Sequence, residues 1–172
     1  MREDSPTGWP PETGTQNHEA LAGMRAAVDY LAGVGELFGL PAEAGRHERV
    51  VAGMEAIRAY EAELSRRFLD GIATLDEVRL WGIADQARVE ERTPTFAIRV
   101  GDRHPRHTAE ELARRGIWVW DGNYYALELM ERLGLQESGG AVRIGFCHYN
   151  TPDEVDRVLS ELEDLSRPHR SA

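Results

Sequence analysis

Two periodicities divide this chain. Leu21, Met24, Val28 and Leu31 step by three or four, which puts them on one face of a helix from about Asn17 to Leu31. Thr15 or Asn17 supplies a side-chain oxygen to cap it. Gly33, Gly35, Gly39 and Pro41 follow as breakers. Val50, Met54, Ile57, Leu64 and Phe68 form a second, narrower stripe over about Arg46 to Leu69, ended by Gly71. At 1.5 Å per residue this second helix is a rod of about 36 Å, a length suited to bridging two bodies.

Beyond Gly71 the pattern turns to short alternating segments. Val78, Leu80 and Trp81 read as a strand. Over Thr95 to Val100, Phe96, Ile98 and Val100 alternate with Thr95, Ala97 and Arg99. Thr108 and Glu111 have capping-box spacing for a short helix that stops at Gly116. Ile117 to Trp120 reads as a strand, and Tyr124 to Leu133 as a helix ended by Gly134. Gly139-Gly140 turns into a strand from Ala141 to about Phe146. Thr151, Pro152 and Glu154 open a last helix, with Val155, Val158, Leu159, Leu162 and Leu165 on its buried face.

The pattern predicts an α/β fold: a small mixed or antiparallel sheet with helices on one side, preceded by two helices. The expected organisation is an arm and first helix over 1–44, a bridging helix over 45–71, a small α/β domain over 72–168 and a loose tail over 169–172. The arm is placed by Pro6, Gly8, Pro10 and Pro11.

Composition narrows the chemistry. The chain has 172 residues, 30 acidic and 20 basic, for a net charge of −10. That balance argues against sequence-blind nucleic-acid binding, which runs on a basic patch. No apolar run approaches the length of a membrane span, and the polar start lacks the apolar stretch of a signal peptide. A cytoplasmic location is expected. Cys147 is the single cysteine and cannot form an internal disulfide. All 20 basic residues are arginine; there is no lysine. No side chain here can therefore form a Schiff base with a carbonyl, a step that needs a primary amine. The α-amino group of Met1 is the one primary amine.

Three places could carry binding. Arg143 alternates with Val142 and Ile144, so if those face the core it faces away, among the open backbone of Gly139, Gly140 and Gly145. A guanidinium there suits both oxygens of a carboxylate, or it is an ordinary surface arginine. Gly14 and Thr15 precede a helix N-terminus, which suits an anion such as a phosphate or simply caps the helix. Trp118, Trp120, Tyr124 and Tyr125 crowd a corner around Asp121-Gly122-Asn123, either a pocket wall for a flat ligand or a core layer with one wet edge. His104 and His107 flank Pro105 without a metal-ligand spacing. Cys147 and His148 are adjacent in an extended segment, so their side chains diverge.

The segment Glu12-Thr13-Gly14-Thr15-Gln16-Asn17, followed by Ala26-Ala27-Val28-Asp29-Tyr30-Leu31, resembles the end of the large domain in class V aminotransferases and cysteine desulfurases. Gly116-Ile117-Trp118-Val119-Trp120-Asp121-Gly122-Asn123-Tyr124-Tyr125-Ala126 resembles their small-domain loop beside the active site. The run from Val142 to Asp156 resembles their final strand and helix. The resemblance implies the C-terminal part of a pyridoxal-phosphate enzyme of the aspartate-aminotransferase type (fold type I). It implies that Arg143 holds the substrate carboxylate, with Trp120, Asn123 and Tyr125 as pocket wall. It also implies that Thr15, with Gly14, reaches the cofactor phosphate of the neighbouring subunit in a homodimer. Two departures stand out. Tyr125 occupies the place of the desulfurase nucleophilic cysteine, and Trp120 the place of an arginine, so the nearer match is a desulfurase-like branch whose loop carries Trp, Asp, Gly and Tyr.

The lysine that forms the aldimine is absent, so the chain is not expected to be active alone, and it assigns itself no catalytic residue. The partners this implies are a complementing large-domain chain, a second copy of itself and a small amino-acid or keto-acid ligand, with no metal, nucleic acid or membrane. The other reading is a stand-alone, non-catalytic binding or dimerisation module derived from the small domain. Mixed with pyridoxal phosphate, the chain alone is expected to give no internal-aldimine band, which a visible absorbance scan checks.

Overall fold

The computed structural model describes residues 16–41 and 43–167. The chain divides into two compact units, Met1–Ala56 and Ile57–Ala172, each described here by itself.

In the first unit, α1 (His18–Leu37) starts where Asn17 caps it, its side-chain oxygen accepting the Ala20 N–H at 2.9 Å. The helix runs past Gly33 and Gly35, six residues beyond the predicted stop at Leu31. The reason is packing. A Cβ added at Gly35 would collide with the Arg49 carbonyl of the next helix, α2 (Arg46–Ile72), and one at Gly53 with the Leu31 carbonyl. These glycines let two helix backbones touch rather than break a helix. The buried face of α1 is accordingly Ala32 and Gly35, while Leu21, Met24 and Val28, the stripe read from the sequence, are exposed.

In the second unit, the rest of α2 leads into a four-stranded antiparallel sheet. Its strands are β1 (Val78–Trp81), β2 (Thr95–Val100), β3 (Trp120–Gly122) and β4 (Ala141–Gly145). The order is β1-β2-β4-β3, so β4, last in sequence, lies inside the sheet. The predicted α/β class is what is found, and of the mixed or antiparallel pairings left open by the sequence the sheet takes the antiparallel one. Phe96, Ile98, Val142 and Ile144 point to one face, where they meet Leu64 and Phe68 of α2, Leu112 of α3 (Pro105–Arg114) and Leu162 of α5 (Pro152–Ser166). Phe68, Phe96 and Phe146 stack at its centre, with centroids 4.3 to 6.0 Å apart and rings tilted to one another, the favoured aromatic geometry. A short helix, α4 (Leu127–Arg132), lies against the opposite face, where Met130 packs with Leu135, Ala141, Ala97 and Trp81.

Further boundaries differ from the expectation: α2 runs on to Ile72, past Gly71. α3 begins at Pro105, whose fixed φ suits a first helical turn, and its cap is His104, whose Nδ1 accepts the Arg106 N–H at 3.2 Å. Thr108, read as the cap, is inside the helix and buried. β3 covers Trp120–Gly122 instead of Ile117 to Trp120, because its pairing to β4 starts at Trp120 opposite Arg143. α4 starts at Leu127 instead of Tyr124, since Tyr124 and Tyr125 take left-handed backbone conformations that a right-handed helix cannot contain. The last helix matches: Thr151 and Glu154 form a reciprocal capping box with Pro152 in the first turn. Among the described residues no helix is long and apolar enough to cross a membrane.

The glycine contacts give opposite signs for one substitution. Gly53→Ala is expected to cost about 1–3 kcal/mol, because a backbone carbonyl cannot step aside. Gly23→Ala, with open space around it, is expected to stabilise the helix by about 0.5–1 kcal/mol. Urea unfolding followed by circular dichroism measures both.

Candidate functional site

Strand periodicity sets the site. Because Val142 and Ile144 are buried in the main core, Arg143 emerges on the opposite face of β4, as the sequence predicts. Register then fixes its neighbours. Arg143 lies opposite Ala97 on one side and Trp120 on the other, and Ala97 lies opposite Trp81. One row across the outer face therefore reads Trp81, Ala97, Arg143, Trp120. Ala97 matters because its methyl group leaves a gap between two large side chains.

The corner 121–126 closes one end of that gap. Gly122, Tyr124 and Tyr125 all have positive φ, at 114°, 54° and 60°. Consecutive left-handed tyrosines are uncommon, and such strain concentrates at binding sites. The turn is held by Asn123, whose Oδ1 accepts the Tyr125 N–H at 3.1 Å and whose carbonyl accepts the Ala126 N–H at 2.8 Å. The turn also needs Gly140, where a Cβ would collide with the Gly122 carbonyl.

This conformation separates the two tyrosines. Tyr124 folds in under Arg143, whose guanidinium carbon is 5.6 Å from the ring centroid, within range of a cation–π contact. Its hydroxyl is buried without a hydrogen-bond partner among the described residues. Burial pushes the phenol well above the ordinary tyrosine pKa; the Arg143 charge works against that shift and the Asp121 carboxylate adds to it. Asp121 is itself paired with Arg106 at 3.0 Å. Tyr125 points outward, 97% exposed.

Of the predicted pocket residues, then, Arg143 and Trp120 are cross-strand partners, Asn123 holds the turn, and Tyr125 lies in solvent. Trp118 is 84% exposed. Gly14 and Thr15 lie outside the described residues. Among the described residues no cluster of histidine, cysteine or acidic side chains could hold a metal. His148 is near Glu61, with Nδ1 3.7 Å from the carboxylate, and the Cys147 N–H donates to Asn150.

Between the outer face of the sheet and α4 runs a cleft of about 410 Å³, with Arg143 and Tyr124 at one side and Trp81, Ala97, Leu129 and Met130 among its walls. Its volume falls in the range of small-molecule sites. Arg143 has no carboxylate partner among the described residues. Ala97 and Trp81 are the contributions that pattern reading misses as site residues, whereas Tyr124 belongs to the aromatic corner it picks out. Parity alone put Ala97 and Arg143 each away from its own strand's core, but only register brings them side by side.

Comparison with known proteins places the chain in context. The family model for Aminotransferase class-V matches residues 33–158. A cysteine desulfurase from Pectobacterium carotovorum subsp. carotovorum (strain PC1) is 27% identical over 164 residues, 95% of this chain and 33% of that protein. An uncharacterized protein from Mycobacterium tuberculosis is 29% identical over 154 residues, 90% of this chain and 36% of that protein. Among solved structures, the apo cysteine desulfurase of Thermococcus onnurineus NA1 aligns with a TM-score of 0.58 and 28% identity, covering 74% of this chain and 32% of that one. The S-sulfonic acid form of the cysteine desulfurase CsdA from Escherichia coli aligns at 0.63 and 21% identity, covering 89% and 31%, a likeness of fold. The chain spans about a third of the length of the curated relatives it matches.

The Tyr124 phenol yields a pH prediction. Its folded pKa is raised, so the stability that the neutral phenol contributes is complete below about pH 10 and is lost as pH rises above it. Tyr124→Phe is expected to remove that part of the alkaline decline. Urea midpoints at about pH 9 and about pH 11 for both proteins measure the difference.

Proposed function

Because the chain belongs to the Aminotransferase class-V family, we propose that it serves as the small-domain, C-terminal part of a pyridoxal-phosphate-dependent unit and holds a substrate carboxylate through Arg143. The observation that carries this reading is an arginine with no carboxylate partner among the described residues, fixed by strand register at the edge of a cleft large enough for a small molecule. A guanidinium in a rigid strand is pre-organised to take both oxygens of a carboxylate. The ligand class is an amino acid or keto acid.

The residues of this chain do not fit pyridoxal phosphate as a covalent site. There is no lysine, and the cleft beside Arg143 is walled mainly by hydrocarbon rather than by donors for a phosphate. When bound in a complete unit the cofactor supplies electron withdrawal from the amino acid. What this chain contributes is orientation: Arg143 fixes the carboxylate, Tyr124 supports the guanidinium from below, and Trp120 shields it from the side of β3. The covalent anchor comes from a large domain outside these 172 residues, and a cytoplasmic homodimer is the assembly that goes with this reading. Tyr125, where the resemblance expects the desulfurase cysteine, offers a phenol in place of a thiol, so persulfide formation at that position is not part of the proposal.

One observation favours the second reading, a non-catalytic dimerisation module. Leu21, Met24 and Val28 of α1 are all exposed, and such a stripe needs cover.

Titration of alanine and pyruvate into the chain, followed by the Trp120 indole N–H resonance, tests the anchor. Arg143→Gln is expected to weaken binding by about 1.5–3 kcal/mol, the range for a hydrogen bond to a charged group. Equal affinity in the variant removes Arg143 from the site.

A further inference from the structure

The cleft beside Arg143 has a chemistry that the carboxylate anchor does not use. Its far walls are the side chains of Trp81, Ala97, Leu129, Met130 and Leu133. Met130 is 2% exposed, which makes the floor rigid, whereas Leu129 and Leu133 are partly open to solvent, 53% and 39% exposed. The gap exists because Ala97 sits in the register position between Trp81 and Arg143. Charge is confined to one end. Arg143 stands there without a carboxylate partner among the described residues, Asp121 nearby is already paired with Arg106, and Arg79 is spread over the Trp81 ring, 4.9 Å from its centroid.

A cleft with one unneutralised cation at its mouth and hydrocarbon along its length is complementary to a molecule of the same polarity. We propose that the cleft between α4 and the sheet takes a carboxylic acid with an unbranched or aromatic hydrocarbon tail, its carboxylate on Arg143 and its tail against Ala97, Leu129 and Met130. This rests on the assignment of Arg143 as the carboxylate anchor and adds the class of side chain that the site accepts. A polar tail is disfavoured because the hydrocarbon walls would strip water from it without replacing its hydrogen bonds. The volume of about 410 Å³ accommodates a tail well beyond a methyl group.

The test uses the full chain and a series of straight-chain acids from acetate to octanoate, with hexanol as the uncharged probe, followed by Trp fluorescence and by the Met130 methyl resonance. Affinity is expected to rise about fourfold per methylene, the increment for burying one such group, until the cleft is filled. Hexanol is expected to bind more weakly than hexanoate in the wild type and equally to it in Arg143→Gln. Leu129→Gln, at a partly exposed wall position that the fold tolerates, is expected to flatten the dependence on chain length. Acids that bind through Arg143 with no dependence on length overturn the tail assignment and leave the anchor standing. Length dependence shared equally by hexanol and hexanoate in the wild type overturns the Arg143 anchor, and with it the proposal of a carboxylic acid ligand. If octanoate shifts neither signal while Leu129→Gln lowers the sedimentation coefficient, the cleft is an interface with a second copy, and the proposal is overturned.

Discussion

Val142 and Ile144 must face Phe68, Phe96 and Leu162, because burying them is what docks β4 onto the core formed with α2 and α5. A strand has a period of two, so that requirement leaves Arg143 on the other side of the sheet. A slip of one residue would bury the guanidinium and expose both aliphatic side chains, a penalty of several kcal/mol per buried charge before any lost packing is counted. Hydrophobic burial on one face thereby fixes a cation on the other with a precision that no interaction of the cation itself supplies.

The same constraint extends sideways. β4 lies between β2 and β3, so the position of Arg143 along the strand determines which residues flank it: Ala97 and Trp120. Neither is chosen by contact with Arg143 alone. Thr95 to Val100 is placed by Phe96, Ile98 and Val100, all buried, and the shared parity sends Ala97 outward. The outer-face cleft is thus a by-product of core packing on the inner face, closed by α4 and the left-handed turn at Tyr124 and Tyr125. That turn carries backbone strain of about 1–3 kcal/mol per left-handed residue, offset by the Asn123 hydrogen bonds and by burial of the Tyr124 ring.

Much of this was legible in the sequence, because strand alternation and capping boxes are local signals. β2, β4 and the Thr151 box of α5 fall where the pattern puts them, and the outward direction of Arg143 follows from parity. What escaped reading depended on contacts far apart in sequence. Gly35 reads as a breaker until Arg49 is seen against it, and Thr108 reads as a cap until Pro105 is seen to start the helix earlier. Tyr124 and Tyr125 are the same residue type in adjacent positions, and sequence has no means of telling which turns in. Backbone conformation decides: two successive left-handed residues carry one ring under Arg143 and the other into water.

The exposed side of α1 belongs to the same argument. A helix buries large side chains where a partner can accommodate them, yet here the buried contact uses Ala32 and Gly35 while Leu21, Met24 and Val28 remain outside. Small residues at the crossing bring the two backbones into contact, Gly35 against the Arg49 carbonyl and Gly53 against that of Leu31. At about 100° per residue Leu21, Met24 and Val28 share the stripe of Ala32 and Gly35 but lie earlier along the helix, N-terminal to the crossing, and that stretch of the stripe is open. The open stripe of α1 and the guanidinium of Arg143, which has no carboxylate partner among the described residues, are both placed by contacts made elsewhere on their own elements.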